Sequence, residues 1–451
     1  MQQDVGSTAG ESDAEINRRT AIYFSASVGP IAIMGLPLSI YLPPYISEGG
    51  VVAVALVGLM FSISTLWDGI VDPLIGTMID RKSKGDAPHR VWMARAAVPL
   101  VLLLALLVSI GDRLEFWALL PLLLLYYSCY SLFDVAHLAW GSALSNGRSE
   151  ASARLFGARE YTAKFVLVVA FAAPALAQYL IPDISLQGRI IAYVSLVAIA
   201  MPLALIANQK VPGRRVTIEP GFGWRRELKL SLQSPSLLLI MVVHFLNAFA
   251  FGAMASTYIF FAEAYLRLDQ YGSLLLFLTF VGGAITTPLW VYAARKLGKP
   301  KGMTLMCSTL VLFLIGGMQL PLAGALLPSA LFTLILGGAF MGLIFIFGMI
   351  ADYAPVDAQI CGRDRTAFIF ASGNLMQKLG NASALALSYW LLDYFGFDPA
   401  NAEAYGEVVR NIWAGLPIAA WGLAGIIALL LVRQPWAQVR QLPLPHKPLA
   451  S

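Results

Sequence analysis

Four ionisable side chains fall inside stretches that are otherwise apolar. They are Asp68 and Asp72 in WDGIVDPLIGTMIDR (67–81), Asp134 in YSLFDVAHLAW (130–140) and Lys378 in LMQKLGNASA (375–384). A spacing of four puts Asp68 and Asp72 on one helical face, a turn apart. Close carboxylates repel each other, and a cation between them relieves that repulsion. The pair has the chemistry of a cation site, with hard oxygens able to take a proton or a sodium ion. Ser131 lies three residues before Asp134 and His137 three after, so all three share a face, with Trp140 further along. A carboxylate near aromatic groups can accept hydrogen bonds from the hydroxyls of a small polar molecule. Lys378 is the only Lys or Arg deep in any apolar stretch. Left unpaired it is costly, so it is expected to meet Asp68, Asp72 or Asp134. Asn374 and Asn381 recur with it at helical spacing, and Asn374 joins Asp134, His137 and Trp140 as a candidate facing the small molecule. Plainer readings stand beside these. The acids and Lys378 could form a packing or gating ion pair, and span 4 could carry only a polar patch between helices.

The elements that position these groups follow from composition. Of 451 residues, 58% are hydrophobic and 13% charged. A soluble domain is nearer about 45–50% apolar and about 25% charged. About 20 apolar residues cross a bilayer as a helix, and only helices or closed barrels satisfy the backbone there. The apolar runs are long and continuous, which excludes a barrel of short alternating strands. The chain reads as an all-α, polytopic membrane protein of twelve transmembrane helices. The spans are expected near 20–46, 51–79, 92–111, 115–145, 160–182, 188–208, 235–264, 270–295, 302–323, 328–351, 366–394 and 409–432. At membrane depth an ionisable group costs at least about 2.5–3.5 kcal/mol, so the few present point to function.

Lys and Arg crowd the even-numbered connections, while the odd-numbered ones hold only Arg113, Arg189, Arg267 and Arg410. By the positive-inside rule both termini are cytoplasmic and the protein sits in the cell's inner (plasma) membrane. No cleavable signal peptide is evident. The net charge of +5 is this topological bias, and no basic patch with interleaved aromatics suggests nucleic acid. Cys129, Cys307 and Cys361 lie in or at the ends of spans, which argues against a disulfide framework or metal cluster.

The longest polar connection, VPGRRVTIEPGFGWRRELKLSLQSP (211–235), divides the chain in two. The expected units are 1–210, a linker at 211–233, and 234–451, each unit with six spans and a tail. A basic tight loop follows span 2 (MIDRKSKGDAPHRVWM) and recurs after span 8 (AARKLGKPKGMTLM). Two halves that echo each other suggest a transporter built from structural repeats. Pro30, Pro37, Pro43 and Pro44 fall in or at the end of span 1, which should be kinked or locally open. A nucleophile with a base, a metal-ligand cluster and a phosphate loop are all missing from the sequence, so an enzyme or sensor is not expected.

These motifs resemble the melibiose-permease-like family of glycoside–pentoside–hexuronide:cation symporters, within the major facilitator superfamily. WDGIVDP with Gly76, Asp80 and Arg81 carries the resemblance, together with YSLFDVAHLAW, RLFGARE (154–160) and LMQKLGNASA. The resemblance implies that Asp68 and Asp72 hold the coupling cation (and are the metal ligands if that cation is sodium). It places Ser131 as a hydroxyl beside that site. It further implies that Asp134 and Arg159 hold the sugar, and that Lys378 couples the sites. Read alone, Arg159 is an ordinary positive-inside residue. The chain departs from the family pattern at Ile31, where a second sugar-binding acid is expected, and at Val71, where an amide ligand is expected. The first change argues against a galactoside, and the second favours protons over sodium. The expected activity is cation-coupled symport of a glycoside or related sugar by alternating access. It needs no cofactor beyond the coupling ion, and a monomer in contact with membrane lipid suffices. A non-sugar amphiphile is the alternative substrate.

Overall fold

In the computed structural model the described residues are 17–82, 88–145, 149–181, 184–211, 229–340, 342–361 and 366–433. The chain starts with a broken span. Expected as one segment, span 1 is three helices: α1 (Arg18–Ser25), α2 (Val28–Met34) and α3 (Leu36–Glu48). Asn17 caps α1, its Oδ1 accepting from the Thr20 amide at 2.8 Å. The breaks coincide with Pro30 in the first turn of α2 and Pro37 in the first turn of α3, where a missing N–H costs nothing. Gly35 at the second break has φ −76° and ψ −98°. Pro43 and Pro44 stay inside α3, and Ser47 Oγ donates back to the Pro43 carbonyl at 3.0 Å.

The rest of the first half is α4 (Val54–Lys82), α5 (Pro88–Ile110), α6 (Phe116–Ser145), α7 (Ser149–Leu180) and α8 (Leu186–Asn208). The second half is α9 (Pro235–Phe260, prolonged by a π-turn at Phe261–Tyr265), α10 (Gly272–Leu297), α11 (Lys299–Gly317), α12 (Leu326–Ala339), α13 (Gly342–Cys361), α14 (Thr366–Tyr394) and α15 (Gly406–Val432). Ten segments are long and apolar enough to cross a membrane on those criteria. Helices α12 and α13 together form an eleventh, broken one, and α14 is the twelfth. Twelve membrane helices in two six-helix halves are the observed architecture, and every described regular element is helical. Most of the linker expected at 211–233 lies outside the described residues.

Span 10 breaks between α12 and α13, where Phe340 is extended at φ −94° and ψ 97°. The carbonyl of Gly338, freed by the break, accepts from Thr286 Oγ1 and Trp290 Nε1, each at 2.7 Å. A freed carbonyl in hydrocarbon needs such partners.

The side on which α1 begins and α15 ends is called here the terminal face, and the opposite side the far face. The halves meet toward the far face. Phe171 of α7 stacks on Phe280 of α10 with ring centroids 4.1 Å apart. Tyr41 of α3 donates to Ser273 Oγ at 3.0 Å, while Gln178 of α7 donates to the Asp269 carbonyl at 3.0 Å and accepts from the Ser273 amide at 3.1 Å. Helices α4 and α14 touch along most of this seam. Ser62 Oγ donates to the Ala382 carbonyl at 2.8 Å. A Cβ on Gly58 would come within 2.3 Å of Tyr389 Cβ, so only glycine permits this approach.

Candidate functional site

The seam between α4 and α14 ends at a charge cluster. The helical period of α4 stacks Asp68 over Asp72, as their spacing requires. Lys378 of α14 inserts between them: its Nζ lies 2.8 Å from Asp68 Oδ2 and also donates to Asp72 Oδ2. Ser131 of α6 donates its hydroxyl to Asp68 Oδ1. Asp68 is buried, whereas the Asp72 side chain keeps 33% of its exposure and Lys378 25%. Two carboxylates, one ammonium and one hydroxyl from three helices and both halves thus share one small volume. Gly69 lies against the Lys378 stem, with Leu375 on the same side, so the lysine has an apolar bed up to its charged end.

One turn from Ser131, Asp134 makes a second pair. Arg159 Nη2 of α7 donates to Asp134 Oδ1 at 3.0 Å, and the two side chains are 17% and 25% exposed respectively. Since the far side is sealed by the seam, this partial exposure opens toward the terminal face. Tyr130 lies one turn before Asp134, within electrostatic reach of both Asp134 and Asp68, and its hydroxyl sits close to Gly35 at the break in span 1. Beside it, Trp67 Nε1 donates to Ser128 Oγ at 2.9 Å. Tyr130, Trp67 and Ser128 were not singled out from the sequence. Spacing relative to Asp134 and Asp68 could have found Tyr130, four residues before Asp134, and Trp67, the immediate neighbour of Asp68.

Of the expected site residues, Asp68, Asp72, Ser131, Lys378, Asp134 and Arg159 come together at the middle of the bundle. His137 and Trp140 do not. Both are fully buried within the first half. His137 stacks on Phe24 at 4.3 Å, and its Nε2 lies 3.0 Å from the Phe24 carbonyl, so Nε2 carries the proton. Trp140 meets Phe24 edge-on at 5.6 Å, and Arg90 covers its ring. The expectation that these two line the open space is corrected: here they pack α6 against α1. Asn374 is exposed on α14, one turn from Lys378 toward the terminal face, and joins neither pair. Two acids near span ends lie apart from both pairs. Asp352 pairs with Lys299 at 2.5 Å, and Glu263 sits in the π-turn at the far face. Ile31 and Val71, the two departures from the family pattern, are both buried in the apolar core. Cys129 and Cys307 are free thiols, and the Cys361 side chain lies outside the described residues.

Chemically, the first cluster is a pair of carboxylates bridged by one side-chain ammonium. The second pairs an acceptor with a fixed donor fork, an arrangement that suits neighbouring hydroxyls on a small polar molecule.

A bundle of two six-helix halves with charges gathered on the plane between them is the architecture of a carrier. Residues 23–435 match the family described as MFS/sugar transport protein, and the chain belongs to that family. It is a multi-pass membrane transporter of the major facilitator superfamily. No curated relative matches the chain. Among solved structures, a mutant of the nucleoside transporter NupG superposes with a TM-score of 0.63 at 10% identity, covering 92% of this chain and 99% of that one. A bacterial homologue of the human lysosomal transporter Spinster, in an inward-facing and unoccupied conformation, gives 0.63 at 14% identity, covering 92% and 96%. At such identities the likeness establishes the fold alone.

Proposed function

We propose that the protein is a cation-coupled symporter of a glycoside or related sugar, working by alternating access. The carrying observation is Lys378. It reaches from the second half to bridge Asp68 and Asp72 of the first, and the Ser131 that donates to Asp68 lies one turn along α6 from the separate Asp134–Arg159 pair. Two neighbouring charge sites that share α6 give a cation and a cargo a common scaffold. In this reading the coupling ion, a proton or sodium, enters from the partly exposed Asp72 side and displaces Lys378 from the acids. The sugar hydroxyls take the place of the direct contact between Asp134 and Arg159. The resemblance of WDGIVDP and LMQKLGNASA to the glycoside–pentoside–hexuronide:cation symporters supports the same assignment. Both termini are taken as cytoplasmic, in a plasma membrane, so the structure is open to the cytoplasm. A monomer contains every group the mechanism uses.

The test is a thermal-unfolding screen of the purified protein with sugars, glycosides and amphiphiles, with and without sodium, at two pH values. A ligand that binds only the folded state raises the midpoint by mass action. A sugar shift that grows with sodium or moves with pH supports coupled symport, because coupling between two sites is reciprocal. An amphiphile shift with no sugar shift overturns the assignment of substrate.

A further inference from the structure

The seam that closes the far side leaves a groove on its membrane-facing flank. It has a volume of about 590 Å³ and runs between α4 and α14, lined by Leu56 and Leu59 on one wall and Ser383, Ala386, Leu387 and Trp390 on the other. The leucines and Trp390 are exposed in the protein itself. Because both walls belong to membrane-crossing helices, hydrocarbon is what covers them. The α14 wall is a helical stripe that continues in the same register through Trp390 to Asp393 and Tyr394 at the far end of the helix. Trp390 and Tyr394 stack with ring centroids 5.4 Å apart. Exposed Trp and Tyr at the end of a span mark the headgroup level. Asp393 is exposed beside them, and the next charge along the chain, Asp398, is also an acid.

We infer that this groove binds one acyl chain of a membrane phospholipid whose headgroup carries an ammonium. The chain lies against the leucines and Ala386, the glycerol region sits at the Trp390–Tyr394 pair, and Asp393 meets the ammonium. An anionic headgroup meets the Asp393 carboxylate there and is disfavoured. The groove has two walls only while α4 and α14 are held together, by the Gly58–Tyr389 contact and the Ser62–Ala382 hydrogen bond. Occupancy therefore favours the far-closed state, as any ligand favours the state it fits.

The experiment needs no transport assay, so it stands apart from the assignment of cargo. The full chain is reconstituted in vesicles containing a minor fraction of phosphatidylethanolamine brominated on its acyl chains, and tryptophan fluorescence is read. The chain has 10 tryptophans, so the Trp390 signal is the difference between wild type and Trp390→Phe. Trp390 should be quenched beyond the bulk fraction of brominated lipid. Brominated phosphatidylethanolamine should quench it about two- to fivefold more than brominated phosphatidylglycerol, the range an exposed ion pair supports. Asp393→Asn should remove that difference. Ser383→Phe and Leu59→Phe, which plug the groove from opposite walls, should each return quenching to the bulk value. Delipidation should lower the unfolding midpoint of wild type but not of whichever plugged variant folds. Bulk-level quenching in wild type, a preference for phosphatidylglycerol, or no effect of either plug would overturn the proposal.

Discussion

The two halves share a fold but not a chemistry. The first half holds the three acids of the site, its serine and its arginine, on α4, α6 and α7. Among the described residues the second half sends one charged group across to it, the ammonium of Lys378. It also meets the first half with carbonyls, the hydroxyl and amide of Ser273, a stacked phenylalanine and close helix contacts. In the proposed mechanism recognition is concentrated on one side of the interface, and Lys378 is the electrostatic connection from the other side. In such an arrangement the second half senses what is bound in the first chiefly through one side chain.

The sharpest way to break this asymmetry is to cut that connection. Lys378→Ala should lower gradient-driven uptake by roughly 100-fold, because removing one partner of a buried charge pair costs about 2–5 kcal/mol. Asp72→Asn should abolish accumulation against a gradient to a similar degree. If either variant accumulates normally, the asymmetry has no functional meaning. Asp134→Ala and Arg159→Ala should come next. Each should weaken substrate affinity by about 10–100-fold in a binding titration, as expected for charged hydrogen bonds worth about 1.5–3 kcal/mol, while cation effects on stability persist. A smaller effect is expected at the seam. Gly58→Val drives a side chain into Tyr389 and should destabilise the far-closed state by about 1–3 kcal/mol, read as faster labelling of a cysteine introduced at Ser273 on the far face. The smallest effect on transport belongs to His137→Phe. It should lower the unfolding midpoint through the lost bond to the Phe24 carbonyl and leave substrate affinity within about twofold. A large affinity loss there would put α1 and α6 back into the site and blur the contrast.

The sequence disclosed the site's membership better than its geometry. Charges in hydrocarbon are rare because they are costly, so Asp68, Asp72, Asp134 and Lys378 stood out, and the period of a helix placed the first two on one face. The same argument failed for His137 and Trp140. Ser131, Asp134 and His137 recur every three residues, short of a turn of about 3.6 residues, so the polar face drifts round α6 and His137 turns away from the pairs. Shared register with Asp134 then counts for little when Phe24 offers a stacking partner on the other side. The break in span 1 was legible from its prolines. The break in span 10 was not expected: Gly337–Gly338 is a break signal, but it sits in a continuous apolar run that reads as one span. It is held by Thr286 and Trp290, which are distant in sequence. Which face of the molecule is closed is a property of one conformation, and a sequence encodes both.

The Lys378 bridge also has an electrical consequence. Counted by formal charge, the three carboxylates Asp68, Asp72 and Asp134 face two cations, Lys378 and Arg159, a balance of one negative charge. Binding one monovalent cation brings it to neutrality. A unit charge crossing the full membrane potential changes its energy by about 2.3 kcal/mol per 100 mV. Under the proposed coupling the loaded carrier is then nearly indifferent to voltage, and the return of the unloaded carrier is the step on which the field acts.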